Sequence, residues 1–196
     1  MHSIKIRDSI FMTEQDKIFG EKVYLRLMTD EDTDAIVKWR NNPRVRNNFI
    51  YQGLFTPQGH RNWIETMVKP GKVIQFIICE KETGRPVGSV YFRDICKEHN
   101  KAEYGIFIGE DDAVGKGIGS EVCKLACDYG FRVENWHKIF LRAFADNMPA
   151  IRSYEKAGFV QEAYLRDEVC IQDKYRDVVL MGCLNPYESI GEEQQA

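Results

Sequence analysis

The stretch 113-AVGKGIGSEVCKLA-126 sets glycines at 115, 117 and 119 and follows them at once with an apolar run of helical period. Glycine is costly at a helix start unless the backbone must turn tightly or approach something closely. A strand pattern, 102-AEYGIFIG-109, precedes the segment, and Gly105 inside it predicts a bulge or a close backbone approach. Behind the glycines, Ile118, Val122, Leu125 and Tyr129 share one face of a helix over 117–132. A glycine-rich turn between strand and helix gathers free N–H groups at the positive helix end, which makes an anion site with phosphate as its usual occupant. Two phosphate-loop patterns fail. G-x-x-x-x-G-K-[ST] needs one residue fewer between Gly109 and Gly115, and a hydroxyl where Gly117 stands. G-x-G-x-x-G needs glycine at Ser120, and the segment does not open a parallel βαβ unit. A tight turn that binds nothing stays open.

Working outward, 22-KVYLRLM-28 alternates like a strand. Thr29 then caps a helix whose first turn holds Asp30, Glu31 and Asp32 and which stops near Pro43. A second helix starts at 56-TP-57 and runs to about Val68. The strand patterns 73-VIQFIICE-80 and 87-VGSVYFRDI-95 form a hairpin, and the 102–109 strand extends it to an antiparallel meander. Beyond the 117–132 helix come strand 138–145, a short helix 147–157 ended by Gly158, and strands near 159–171 and 175–184. The order predicts a single α/β (α+β) domain, with a central mixed, mostly antiparallel sheet of about seven strands and helices on both faces. Residues 1–20 read as an arm or extra strand, 21–185 as the domain and 186–196 as a polar tail.

Composition narrows the function classes. The 196 residues hold 27 Lys+Arg against 30 Asp+Glu, a net charge of −3, without the basic footprint of a nucleic-acid protein. No apolar run reaches the length of a membrane span, the N-terminus is a poor signal peptide, and a cytoplasmic location is expected. Cys79, Cys123, Cys127 and Cys183 sit in apolar runs as buried thiols do. The four histidines lack ligand spacing, so no metal is expected.

A second motif, 146-DNMPAIRSYEKAGFV-160, decides among the readings of the glycines. Asn147 and Tyr154 lie seven residues apart and share one helix face, with the small Ala150 close to it. Taken with GKGIGSE, this N-x-x-A-x-x-x-Y-E-K-x-G-F run closely resembles the GNAT superfamily of acetyl-CoA-dependent N-acetyltransferases. The resemblance runs from about Lys22 to Cys183 in element order, and its specific part is residues 113–160. It implies that Val114, Gly115, Lys116, Gly117, Ile118, Gly119 and Ser120 wrap the coenzyme A pyrophosphate. Val114 stands where the family usually has Arg or Gln, so only backbone contacts are expected there. It implies further that Asn147 holds the pantetheine arm and that backbone N–H groups near Ile106, Phe107 and Ile108 stabilise an oxyanion. Tyr154 becomes general acid to the sulfur, in a direct attack through a tetrahedral intermediate. Glu103 is the candidate base, with Glu110 and Asp111 behind it; each also reads as a solvated charge.

The acceptor is expected to be a primary amine. In 39-WRNNPRVRN-47, Trp39, Arg40 and Asn41 are candidate substrate contacts, and Trp39 also reads as core. Its W-R-N and N-P-x-V-R pieces resemble the branch that acetylates amino sugars on nucleotides. The run 158-GFVQEAYLRD-167 resembles the branch that acetylates ribosomal-protein N-termini. Polyamines rank third, because arginines 40, 44 and 46 argue against a carboxylate-lined cleft. A non-catalytic coenzyme A module remains an alternative, and the oligomeric state stays open, a homodimer included.

Overall fold

The computed structural model describes residues 17–187. Strands β1 (Lys17–Phe19) and β2 (Val23–Leu27) lead into a tight helical turn at Asp30–Asp32 and then α1 (Thr33–Asn41). A short α2 (Pro43–Arg46) and α3 (Pro57–Trp63) follow, the latter continuing as a π turn over Ile64–Val68. Next come β3 (Ile74–Glu80), β4 (Pro86–Cys96), β5 (Lys101–Ile108), α4 (Ile118–Arg132), β6 (Lys138–Phe144), α5 (Met148–Lys156), β7 (Val160–Ile171) and β8 (Lys174–Leu184). The strands form one sheet in the order β1-β2-β3-β4-β5-β6-β8-β7. That is eight strands where seven were expected, because β1 adds an edge at residues the sequence left as arm or strand. The expected arm from residue 1 to 16 and tail from 188 to 196 lie outside the described residues.

The elements start and stop where side-chain chemistry dictates. Asn42 ends α1 and caps α2, its Oδ1 accepting from the Arg44 N–H at 3.0 Å, with Pro43 in the first helical position. The sequence pattern marks a stop at Pro43 and carries no periodic sign of the four-residue α2. Thr56 caps α3 by accepting from Gly59 N–H. Alternation along the strands then divides the core in two. Phe76, Ile78, Val90, Phe92 and Tyr104 point to the face covered by α4 and α5. Ile77, Cys79 and Phe107 point to the face covered by α1 to α3, where Ile36, Trp39, Val45 and Ile64 meet them.

One pairing is exceptional. β5 and β6 are parallel, whereas the other neighbours in the sheet are antiparallel. Their ladder covers only Lys101↔Lys138, Ala102↔Ile139 and Glu103↔Phe140. β5 nevertheless continues to Ile108 and β6 to Phe144, so the two strands part and leave a wedge in the middle of the sheet.

Two glycines of β5 and its end mark close approaches. The bulge anticipated at Gly105 is absent: the β4–β5 register runs evenly from Gly88↔Ile108 to Arg93↔Glu103, with its irregularity between Arg93 and Cys96. Gly105 instead makes room for the ring of Tyr91, whose Cζ would stand 2.4 Å from a Cβ there. At Gly109 a Cβ would lie 2.1 Å from Trp39 Cγ, and Trp39 is buried. An indole locked in a core cannot swing aside, so Gly109→Ala should lower unfolding free energy by roughly 1–3 kcal/mol. An unchanged urea midpoint would show that Trp39 can move.

Candidate active site

The wedge opens into a cavity of about 960 Å³. Its walls come from the separated ends of β5 and β6, the loop before α4, the first turns of α5, and the α1–α3 side of the sheet. Each wall has a local cause. The glycine loop turns twice through the left-handed region, at Gly115 (φ +79°) and Gly117 (φ +80°), where a side chain would be strained. These turns bring Gly115, Gly117, Ile118 and Gly119 onto the cavity at the N-terminal end of α4. Lys22 pins the loop from outside, its Nζ donating to the Lys116 carbonyl at 2.8 Å.

α5 presents the second motif as the spacing requires. Asn147, Ala150 and Tyr154 all line the cavity. Asn147 Oδ1 also caps the helix by accepting from Ala150 N–H at 3.3 Å. Tyr154 is half-buried, edge-on to Tyr104 at 6.1 Å between ring centroids. Burial drives its phenol well above the ordinary value, so it holds its proton throughout the neutral range.

Glu103 also lines the cavity, but its carboxylate is spoken for. Arg93 Nε donates to one oxygen at 2.9 Å and Arg142 Nε to the other at 3.1 Å. Burial alone would raise its pKa; the two guanidinium groups outweigh burial and hold it below the ordinary range. Asp94, exposed at the same end, moves the other way, raised by partial burial and by its contact with Glu103. The fallback carboxylates lie off the cavity. Glu110 accepts from Trp39 Nε1 at 2.7 Å and Lys38 Nζ at 2.8 Å, and Asp111 from Arg44 Nε at 2.7 Å.

The structure brings together Val114, Gly115, Gly117, Ile118, Gly119, Asn147, Ile106, Phe107, Ile108, Glu103, Tyr154 and Arg40 on this cavity. Four expected contacts do not line it. Trp39 is core, packed over Gly109, with its indole N–H committed to Glu110. Asn41 clamps the following loop, its amide bonded to both Phe55 O (2.9 Å) and Phe55 N–H (2.8 Å). Lys116 contributes its carbonyl to Lys22, and Ser120 bonds Ser153 Oγ at 3.0 Å, tying α4 to α5. Conversely, Tyr91, Asp94, Arg142 and His60 line the cavity unanticipated. Strand alternation could have flagged Tyr91 as facing opposite to Val90 and Phe92; Arg142 required knowing that β6 lies beside β5.

These features fit acetyl-CoA. The left-handed turn at Gly115 leaves open space where a side chain would stand, and the open edge of β5 offers backbone donors and acceptors to an amide-bearing arm. An acetyltransferase (GNAT) domain model matches residues 22–160. The chain belongs to the GNAT acetyltransferase family. It is 27% identical over 172 residues to the uncharacterized N-acetyltransferase p20 of Bacillus licheniformis, covering 86% of this chain and 96% of p20. It is 35% identical over 111 residues to the spermidine N(1)-acetyltransferase of Escherichia coli K12, covering 57% of this chain and 59% of that protein. Its fold superposes with a TM-score of 0.79 on the spermidine N-acetyltransferase of Vibrio cholerae in complex with CoA and spermine. There the identity is 26%, over 84% of this chain and 96% of that one. This GNAT chain is accordingly an N-acetyltransferase with acetyl-CoA as cosubstrate and a primary amine as acceptor. Two of these relatives are spermidine acetyltransferases, which belong to neither the ribosomal-protein nor the amino-sugar branch that residues 39–47 and 158–167 suggested. No helix among the described residues is long and apolar enough to cross a membrane, and no cluster there could hold a metal ion.

Two outcomes test this geometry. Gly119 faces the cavity with only ordinary contact to Ser153 Oγ (3.5 Å) at its Cβ position. Gly119→Val should therefore fold but crowd the loop, weakening acetyl-CoA affinity by the ~1.5–3 kcal/mol of a hydrogen bond to a charged group; unchanged affinity by calorimetry would remove the loop from the site. Glu103, lowered from its ordinary 4.5, contributes stability that is complete above about pH 4.5 and fades as pH falls through its folded value. Glu103→Gln should lower stability at pH 7 and flatten its acid dependence, read from urea midpoints; an unaltered acid profile would mean the ion pairs contribute nothing.

Proposed function

We propose that the acceptor is a primary amine on an alkyl chain, the broad class to which spermidine belongs, and that Tyr154 is the acid of the transfer. The supporting observation is that one cavity carries the glycine loop, the open β5 edge, Tyr154 and the carboxylates Asp94 and Glu103. The similarity to spermidine acetyltransferases supports the acceptor class. It reverses the sequence ordering, which put amino sugars first because residues 40–46 hold three arginines. The folded charges are fewer than the sequence suggests: Arg44 is paired with Asp111, and Arg46 does not line the cavity.

Acetyl-CoA supplies an acetyl group already activated as a thioester. In this reading Gly115, Gly117 and Gly119 seat its phosphates by backbone N–H groups, and Asn147 orients the arm. A backbone N–H on the open edge of β5, near Ile106 to Ile108, faces the reacting carbonyl. Tyr154 Oη keeps its proton until sulfur needs one, which its burial favours. An alkylammonium has a pKa near ~10 and must shed a proton before it attacks. Glu103, saturated by Arg93 and Arg142, is a poor acceptor for that proton and instead fixes the two arginines. Asp94, with its raised proton affinity, is the better-placed base.

Tyr154→Phe should cut kcat by about 10²–10⁴-fold while acetyl-CoA affinity stays within about twofold. An unaltered kcat would strip Tyr154 of the role. Mass analysis of products from spermidine, N-terminal peptides and aminoglycosides should find the acetyl group on spermidine. Product on peptides alone would move the assignment to protein N-termini.

A further inference from the structure

On the reading above, the α1–α3 side of the cavity is its acceptor half, and it holds a guanidinium with no carboxylate beside it. Arg40, on α1, is only 6% exposed and lines the cavity. Among the described residues no carboxylate pairs with it, and its Nη1 is buried without a hydrogen-bond partner. The other arginines of the cavity each have a carboxylate partner, Arg44 in Asp111, and Arg93 and Arg142 in the Glu103 they share.

Arg40 is surrounded by rings instead. Its Cζ lies 3.5 Å from the centroid of Phe49, 4.7 Å from Phe55 and 5.8 Å from Phe107. Aromatic faces attract a guanidinium but offer no oxygen to its in-plane N–H groups. Burial pushes its pKa down to about 10, so it is still charged at neutral pH. His60 Nε2 and Gln75 Oε1 are likewise buried without partners and line the same cavity. The acceptor half thus has a desolvated cation, apolar walls and unfilled polar atoms.

Such a site suits an oxygen anion far better than a second ammonium. A planar fork accepts a carboxylate bidentately, and bringing a cation beside an unpaired buried guanidinium is repulsive. We infer that the preferred acceptor is an alkylamine that also carries a carboxylate, which Arg40 binds while the amine end reaches the Tyr154 side of the cavity. This rests on the reading of the cavity as an alkylamine site and narrows it: Arg40 selects the group at the far end of the chain. The reaction is the same amide formation, with the thioester C–S bond broken and the amine proton released.

The test uses the full-length enzyme, acetyl-CoA, and acceptors that differ only at one end: 5-aminopentanoate, 1-aminopentane and 1,5-diaminopentane, with spermidine alongside. Wild-type kcat/KM should favour the amino carboxylate over the diamine by about tenfold or more. Arg40→Met, of similar length and uncharged, should reverse that order. Arg40→Lys keeps the charge without the fork, and should reduce the preference without reversing it; this second variant covers a failure of the first to fold. If wild type favours the diamine and spermidine, the alkylamine reading stands and the carboxylate inference falls. If the preference for the amino carboxylate survives in Arg40→Met, the anion is held elsewhere and Arg40 is only the centre of an aromatic cage. Turnover of none of these amines would overturn both readings.

Discussion

The parting of β5 from β6 after Glu103 and Phe140 is the feature on which the rest of the molecule turns. A parallel pair buried in a sheet ordinarily satisfies its backbone groups along its full length. Here the ladder stops after three residue pairs while both strands continue, so the inner edge of β5 lies open over Tyr104–Ile108. An open edge in the middle of a sheet would be a liability without an occupant. The fold surrounds it with groups that suit one, the α4 loop on one side and α5 on the other. The strand connections require this placement: α4 links β5 to β6 and α5 follows β6, so both helices begin at the end where the strands separate.

The two faces of the sheet then divide the work. α4 and α5 cover one core and carry the glycine turns, Asn147 and Tyr154. α1 to α3 cover the other and carry Arg40 and His60. Arginine and glutamate join the halves at the point of divergence. Arg93 on β4 and Arg142 on β6 both donate to Glu103 on β5, so three adjacent strands are cross-linked just where the ladder ends. The cluster is saturated, which makes Glu103 a structural anchor and a weak base at once. Arg40 is the opposite case, a buried charge with aromatic faces around it and no anion beside it.

What could be read before folding and what could not differ by the range of the interactions. Thr29, Thr56 and Gly158 mark helix ends by local hydrogen bonding and backbone freedom, and the observed boundaries fall within a few residues of those marks. Gly115 and Gly117 were legible because only glycine tolerates their φ, and Asn147 and Tyr154 because helical period alone puts them on one face. α2 escaped notice because its four residues are held by a cap and a proline rather than by periodicity. Trp39 and Asn41 were misplaced for a different reason. Neighbours in sequence to Arg40, they point elsewhere, Trp39 into the core against Gly109 and Asn41 into the backbone of Phe55.

The sequence by itself determined the element order, the domain's α/β character, the glycine loop and the Asn147–Tyr154 face, all products of short-range geometry. Only the tertiary structure decided which charges remain unpaired. Arg44, Arg93 and Arg142 find their carboxylates 67, 10 and 39 residues away, on other strands or loops, while Arg40 finds none. A charge's partner is set by distance in space and its strength by burial. Both depend on how the strands are ordered in the sheet, and the chain's local pattern does not contain that order.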